Sequence, residues 1–481
     1  MTITDQPPPA GVGAASAAPA RTGLRERLVL AVLLTAGFTL AVDFSILNVA
    51  LPAIGADVGF GLGGLQWIAT SFALCAAGFT LLFGRIADLF GRRRLFLVGV
   101  AALGLSSLAG GLAGAPAVLL AARVVQGLAT AAITPAALSL LTTSFPEGPA
   151  RDRALGLNGA LMAAGFTTGA VLGGLLTDLL SWRWAFHLNV GVAAVVLALA
   201  PAVLRETRPA RRPRLDVPGA LVGTAALLAV VYGLTSAGRY GWSDPRGIGV
   251  LLVGALLAAV FPLVERRVAE PLVPPRVLRR RTVAAGNLAG LLAFATETSL
   301  VFLLTLYLQR VLGFAPLAAG LAFAVLGLGT VLGGLLGPRV IGRLGGPGAL
   351  LAGFLGQGVA TLPLAFLGAH RGWLPVLLVA SFAGGVANLV AIVGFMVTAT
   401  SGLPDREQGL ATGLATMSQQ VGITLGTPVM SAIATAGLAG VSSATAVLAG
   451  LRVAILVNTL ACLGAAALVA IALRRPRPAA R

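Results

Sequence analysis

Residues 84–94 read Gly84-Arg85-Ile86-Ala87-Asp88-Leu89-Phe90-Gly91-Arg92-Arg93-Arg94, a charged, glycine-bounded link between two apolar runs. Its arginines and aspartate cannot rest in hydrocarbon. The flanking runs, 65–84 and 95–114, are about 20 residues long, enough to cross a core of ~30 Å. The link therefore reads as a short loop at a membrane surface between two spanning helices. Runs of the same kind recur outward from it in both directions, at 28–54, 116–144, 153–180, 184–204, 217–237, 247–265, 282–309, 316–337, 348–368, 373–400, 408–435 and 451–473. The pattern predicts an all-α integral membrane protein with about fourteen transmembrane helices.

Composition demands the same class. Of 481 residues 57% are hydrophobic and only 10% are charged, whereas a soluble domain carries roughly 25% charged residues. So few charges cannot coat a water-facing surface. The formal net charge of +18 comes from arginine alone, for the chain has no lysine. A Walker-type phosphate loop needs its lysine, and so does a Schiff-base enzyme. ATP-driven transport by this chain alone is thereby excluded. The arginines lie in short clusters between apolar runs and give no nucleic-acid-binding face. His187, His370, Cys75 and Cys462 form no metal or redox spacing. No catalytic constellation is legible, and no metal or cofactor is expected.

Cytoplasmic loops are enriched in positive charge. Alternate links hold most of the arginines, from Arg85 and Arg92–Arg94 through Arg205–Arg214 and Arg276–Arg281 to Arg339 and Arg343. Both tails join that side. The opposite links hold Arg183, Arg239, Arg246, Arg310, Arg371 and Arg452. Both termini are therefore expected in the cytoplasm, with the protein in the cell membrane. Trp67, Trp182, Trp184, Trp242 and Trp373 all fall at external span ends, where an indole bridges apolar and wet layers.

An internal repeat organises the chain. Asp43 and Glu297 are the two acids well inside apolar spans; each lies sixteen residues after the last arginine before its helix, Arg27 and Arg281. Residues 338–345 echo 84–91. The expected organisation is a tail (1–27), a six-helix bundle (28–204), linkers with an inserted two-helix hairpin (205–281), a second, pseudo-symmetric six-helix bundle (282–473) and a tail (474–481). Transporter halves are often such repeats, with the substrate site near the midplane. A carboxyl group in that region is costly unless it meets a cavity, a partner or a proton. Asp43 and Glu297 are the leading candidates for substrate and proton binding.

The residues resemble the fourteen-helix drug:proton antiporter branch of the major facilitator superfamily. Residues 84–94 resemble that superfamily's signature loop, which implies a conformational latch of Gly84, Asp88, Gly91 and Arg92. Residues 43–52, Asp43-Phe44-Ser45-Ile46-Leu47-Asn48-Val49-Ala50-Leu51-Pro52, look like the branch's first-helix motif. Arg123, with Gln126 and Gly127, resembles its fourth-helix proton-transfer motif. Arg123 enters its helix to a depth from which it can approach Asp43. Gly165, Gly169, Gly173 and Gly174 resemble the antiporter packing motif, with Ala170 where the family usually has proline. Trp182 to Asn189 matches the next segment. Tyr307-Leu308-Gln309 resembles a later one, and Asn48, Gln126 and Gln309 become cavity candidates.

The resemblance implies proton-driven export of small hydrophobic, cationic or zwitterionic compounds by alternating access, performed by a monomer in the bilayer. The proton-motive force is the energy source, and neither nucleic acid nor enzymatic chemistry enters. A dedicated exporter of one natural product, or of a neutral or acidic metabolite, is the alternative. A transport-silent receptor or scaffold is a distant third.

Overall fold

A computed structural model describes residues 23–145, 149–206, 216–241, 243–268, 271, 280–401, 405–436 and 443–473. Among these residues the chain is all-helical, with no strand. The first eight helices are α1 (Leu24–Val58), α2 (Leu62–Phe90), α3 (Arg92–Gly111), α4 (Pro116–Ser144), α5 (Pro149–Leu179), α6 (Arg183–Val203), α7 (Val217–Tyr240) and α8 (Pro245–Glu265). There follow α9 (Arg281–Leu306), ending in a π-turn at Tyr307–Val311, α10 (Pro316–Thr361), α11 (Leu374–Thr400), α12 (Asp405–Thr435) and α13 (Ala444–Ala472). Ten helices among the described residues are long and apolar enough to cross a membrane. The protein is a multi-pass membrane protein.

Local chemistry sets the ends. Pro116, Pro245 and Pro316 open their helices, where a missing N–H costs nothing. Asp216 and Ser443 cap α7 and α13 by accepting from Gly219 N and Ala446 N.

Two expected loops are corrected. Residues 84–90 are the last turns of α2, and the link to α3 shrinks to Gly91, whose φ of 111° turns the chain at one residue. Gly84 is thus helical, not a turn. Likewise 338–344 continue α10, which breaks only at Gly345 (φ 73°). Its two arms, 316–344 and 346–361, are here α10a and α10b. A left-handed conformation costs an L-residue about 1–2 kcal/mol and glycine almost nothing. The sequence could not show this, because arginine-rich segments at a membrane surface remain helical when one glycine absorbs the bend.

Helices α1 to α6 pack among themselves: α1 on α5, α6 and α4, α2 on α4, and α3 on α4 and α6. Later in the chain α9 packs on α12, α11 and α13, and α10 on α11 and α13. The two groups meet where α5 touches α10 and α2 touches α12. Helix α7 packs on α8 and against both α2 and α12. Helix α8 is the least buried of the spanning helices, so its apolar side chains face lipid.

The first group's ends identify two faces of the molecule. At the near face Arg25 donates to Val203 O at 3.1 Å and Arg93 to Pro201 O at 2.7 Å. At the far face Asp57 accepts from Trp182 Nε1 at 3.0 Å and from Arg183, which also donates to Ala113 O. In the second group Tyr307 donates to Gly368 O and Arg452 to Leu367 O. Trp67, Trp182, Trp184 and Trp373 all stand at far-face helix starts; Trp242 lies outside the described residues.

Candidate functional site

Asp43 lies on α1 and Arg123 on α4, each 1% exposed, with Arg123 Nη1 2.9 Å from Asp43 Oδ2. The same nitrogen donates to Gln126 Oε1 at 2.8 Å, and Nε donates to Ile68 O of α2 at 3.0 Å. Gln126 Nε2 passes the chain on to Ser107 Oγ of α3 at 2.7 Å. The other carboxylate oxygen accepts from Asn189 Nδ2 of α6. The guanidinium is stacked over the Phe72 ring, 4.2 Å from its centroid. Five helices thus contribute to one buried charge pair. A buried pair is tolerated only when geometry and further hydrogen bonds offset desolvation, and here both oxygens of the acid are satisfied.

Sequence reading singled out Asp43, Arg123 and Gln126 and missed Ser107 and Asn189 as partners. Asn189 ends the Trp182–Asn189 segment, and an amide inside an apolar run was the available signal. Asn48 is turned inward: it is buried and donates to Phe44 O of its own helix.

The second group carries a neutral cluster. Gln357 of α10b donates to Thr296 Oγ1 of α9 at 3.2 Å. Asn388 of α11 donates to Gln357 Oε1 and to Ala293 O at 3.3 and 3.2 Å. Asn458 of α13 donates to Thr296 O and Ser299 Oγ, both at 2.9 Å. All five side chains are buried, and none is charged.

Glu297 is next to this cluster but outside it. It is half-buried and, among the described residues, has no hydrogen-bond or ion-pair partner. Packing explains the difference from Asp43. Gly169 of α5 presses on the α1 backbone at Val42, and Gly426 of α12 on the α9 backbone at Ala295. The residue following each contact is Asp43 in one helix and Thr296 in the other. Glu297 lies one residue further from its glycine contact than Asp43 does, about 100° further around its helix.

The sequence pattern defining the Major Facilitator Superfamily matches residues 33–427 and again 286–481. The chain belongs to the Major Facilitator Superfamily. It is similar to a cephamycin export protein of Amycolatopsis lactamdurans, 40% identical over 83% of each chain. The puromycin resistance protein of Streptomyces alboniger is 38% identical over 84% of this chain and 81% of its own. A multidrug resistance protein of Mycobacterium tuberculosis is 33% identical over 82% of this chain and 73% of its own. The solved structure of a nucleoside transporter covers 93% of this chain and 100% of its own, at TM-score 0.63 and 11% identity, and shows the shared fold.

The link between α2 and α3 turns at Gly91. Glu206, just beyond α6, accepts from Arg93 N at 3.1 Å and Arg94 N at 3.2 Å, so its carboxylate caps the N-terminus of α3. An acid there is favoured by both the free N–H groups and the helix dipole. A Cβ on Gly91 would come within 2.6 Å of the Glu206 carboxyl carbon. Arg92 is half-buried, and the side chain of Asp88 lies outside the described residues. Gly91→Ala is therefore expected to destabilise more than Gly345→Ala, whose new methyl would have only Pro347 near it, at 4.0 Å. Both suffer backbone strain of about 1–2 kcal/mol, and the first also displaces the cap. Thermal unfolding in nanodiscs checks the order; equal losses would show that Glu206 contributes nothing.

The glycines of α5 divide by face. Gly165, Gly169 and Gly173 lie against the α1 backbone, whereas Gly174 lies against Pro316 O of α10a, where a Cβ would stand 2.6 Å away. Gln309 donates to Val49 O at 2.8 Å and ties the two groups together near the far face.

Proposed function

We propose that this protein exports small hydrophobic, cationic or zwitterionic compounds across the cell membrane in exchange for protons. The observation that carries the reading is the buried Asp43–Arg123 pair, with Asn189 on the acid and Gln126 on the guanidinium, in a member of a transporter family. A carboxylate clamped in hydrocarbon gains or loses a proton only when its partners move, and alternating access supplies such a movement. Outside protons neutralise Asp43 or Glu297 and displace substrate. The empty, protonated carrier then returns and releases its proton inside.

The architecture proposed with it has fourteen spans in two six-helix bundles, residues 28–204 and 282–473, with an inserted hairpin between them. Three observations support this. The break at Gly345 divides α10 into two arms. The helix pairings within 24–203 recur within 281–472, α1 on α5 and α6 becoming α9 on α12 and α13. Helix α7 bridges both groups. Arginine placement supports cytoplasmic termini, and the chain works as a monomer driven by the proton-motive force, without cofactor or enzymatic step. Glu297 lies beside the neutral cluster and offers a second proton or cation site.

A second reading, a dedicated exporter of one natural product, is favoured by the similarity to the cephamycin export protein. Proteoliposomes with an imposed proton gradient separate the readings. Wild type is expected to release protons on addition of lipophilic cations, and Asp43→Asn and Glu297→Gln to lose that release at normal expression. No proton movement across a broad panel, with activity on one compound, would replace the first reading by the second.

A further inference from the structure

A gap of about 10 Å³ lies inside the first helix group, lined by α1, α3, α4 and α6. Helices α2 and α5, through which this group meets the second, contribute nothing to its lining. It belongs to the interior of one group and not to the seam between the two.

Its position follows the ion-pair network helix by helix. In the lining, Thr39 comes one helical turn before Asp43, and Leu103 one turn before Ser107. Val192 and Ala193 come one turn after Asn189, and Ile133 two turns after Gln126. Helices α1 and α3 start at the near face, whereas α4 and α6 start at the far face. Every one of these steps therefore leads toward the near face. At about 1.5 Å of rise per residue, the gap lies roughly 6–10 Å from the network on its near side.

The gap is too apolar to hold water. A buried water needs roughly 10–15 Å³ and two to four polar partners. Thr39 is the one polar residue of the lining, and its hydroxyl hydrogen is spent on Thr35 O at 2.8 Å. Val100, Leu103, Ile133 and Val196 are all buried, and toward the near face the apolar core continues through Val32, Phe96, Leu140 and Ala200. On the network side the chemistry reverses: Asn189 Oδ1 is buried and accepts no hydrogen bond among the described residues. A water admitted to the gap would find that open acceptor one turn away, and beyond it the Asp43 carboxylate.

We propose that this dry gap is a proton barrier, which insulates Asp43 from the near face through the interior of the first group. Resting on the proton-exchange reading, the proposal adds what makes the exchange obligatory. With the gap dry, a proton held at Asp43 leaves inward only when the helix groups move. With the gap wet, a proton taken up from outside passes inward along water, with neither substrate nor helix movement. Apolar constrictions block conduction in channels by excluding water in the same way.

The test is the decay of an imposed pH gradient in proteoliposomes holding the full chain, without substrate, read by a pH-sensitive dye inside. Leu103→Asn and Ala193→Ser each give a water in the gap a hydrogen-bond partner. They are expected to speed the decay about tenfold over wild type, the scale of one hydrogen bond supplied to a buried group. Leu103→Met, an apolar exchange at the same position, is expected to stay as tight as wild type. So is Ala289→Ser, which puts a hydroxyl into the buried core of the second group. Ala193→Ser is the smaller change and keeps the test open if Leu103→Asn does not fold. Tight liposomes with both polar variants, or an equal leak through Leu103→Met or Ala289→Ser, would overturn the barrier. Wild type that releases no protons when lipophilic cations are added would overturn instead the exchange on which the barrier acts.

Discussion

Arg123→Leu is expected to abolish substrate-driven proton release and to destabilise the protein by about 3–5 kcal/mol, the cost of leaving one member of a buried pair unpaired. Asp43 is 1% exposed and cannot reach water. With the guanidinium gone, Asn189 is its remaining partner, so Asp43 must either take up a proton permanently or force the bundle apart. The loss spreads to Gln126 Oε1 and Ile68 O, which Arg123 also serves.

The second helix group holds a buried cluster that is neutral throughout: Thr296, Ser299, Gln357, Asn388 and Asn458. The double variant Asp43→Asn with Arg123→Gln is accordingly expected to recover most of the lost stability and none of the proton release. Thermal unfolding in nanodiscs and proton release in proteoliposomes give the two readouts. A single variant as stable as wild type would show that the pair is not under desolvation strain. A double variant that still couples would remove Asp43 from proton transfer.

Much of this was legible in the sequence because membrane insertion allows few solutions. Apolar runs of about twenty residues could only be helices. Asp43 announced itself as an acid in apolar surroundings, and the resemblance to a fourth-helix motif singled out Arg123, whose depth brought it near Asp43. The missing parts have a common cause. Ser107, Asn189, Gln357 and Asn458 are neutral, and a lone amide or hydroxyl in an apolar run does not say which neighbour it faces. Rotation about the helix axis is the quantity hydropathy does not carry, so spacing alone did not show that Asp43 follows its glycine contact at Val42 directly while Glu297 lies two residues after the contact at Ala295. The helical continuation through 84–90 and 338–344 was hidden similarly, because charge marks a surface without saying whether the backbone turns there.

The same glycines set the second large effect. Gly174→Val is expected to stop transport while leaving the protein folded and able to bind substrate from the near face. A Cβ at 174 would stand 2.6 Å from Pro316 O and 3.0 Å from Leu317 Cα. Both are backbone atoms of α10a, so no side-chain rotation relieves the clash and the helices must separate. Gly320 opposes the same seam, with its own Cβ position 2.7 Å from Ala170 O. Small residues permit such close backbone approach in membranes, and here they do so between the two groups rather than within one. A bulky residue here penalises any arrangement in which α5 and α10a touch as they do in this structure.

Spin labels on the 59–61 and 312–315 turns are expected to move apart in Gly174→Val. Gly464→Val, at a helix position with nothing within 4 Å, serves as the control and is expected to transport as wild type. Normal transport by Gly174→Val would mean that the α5–α10 seam never has to close. The glycines would then be fixing the packing of a static interface, and the alternation would have to reside at the α2–α12 contact, where Thr424 donates to Ala73 O at 2.9 Å.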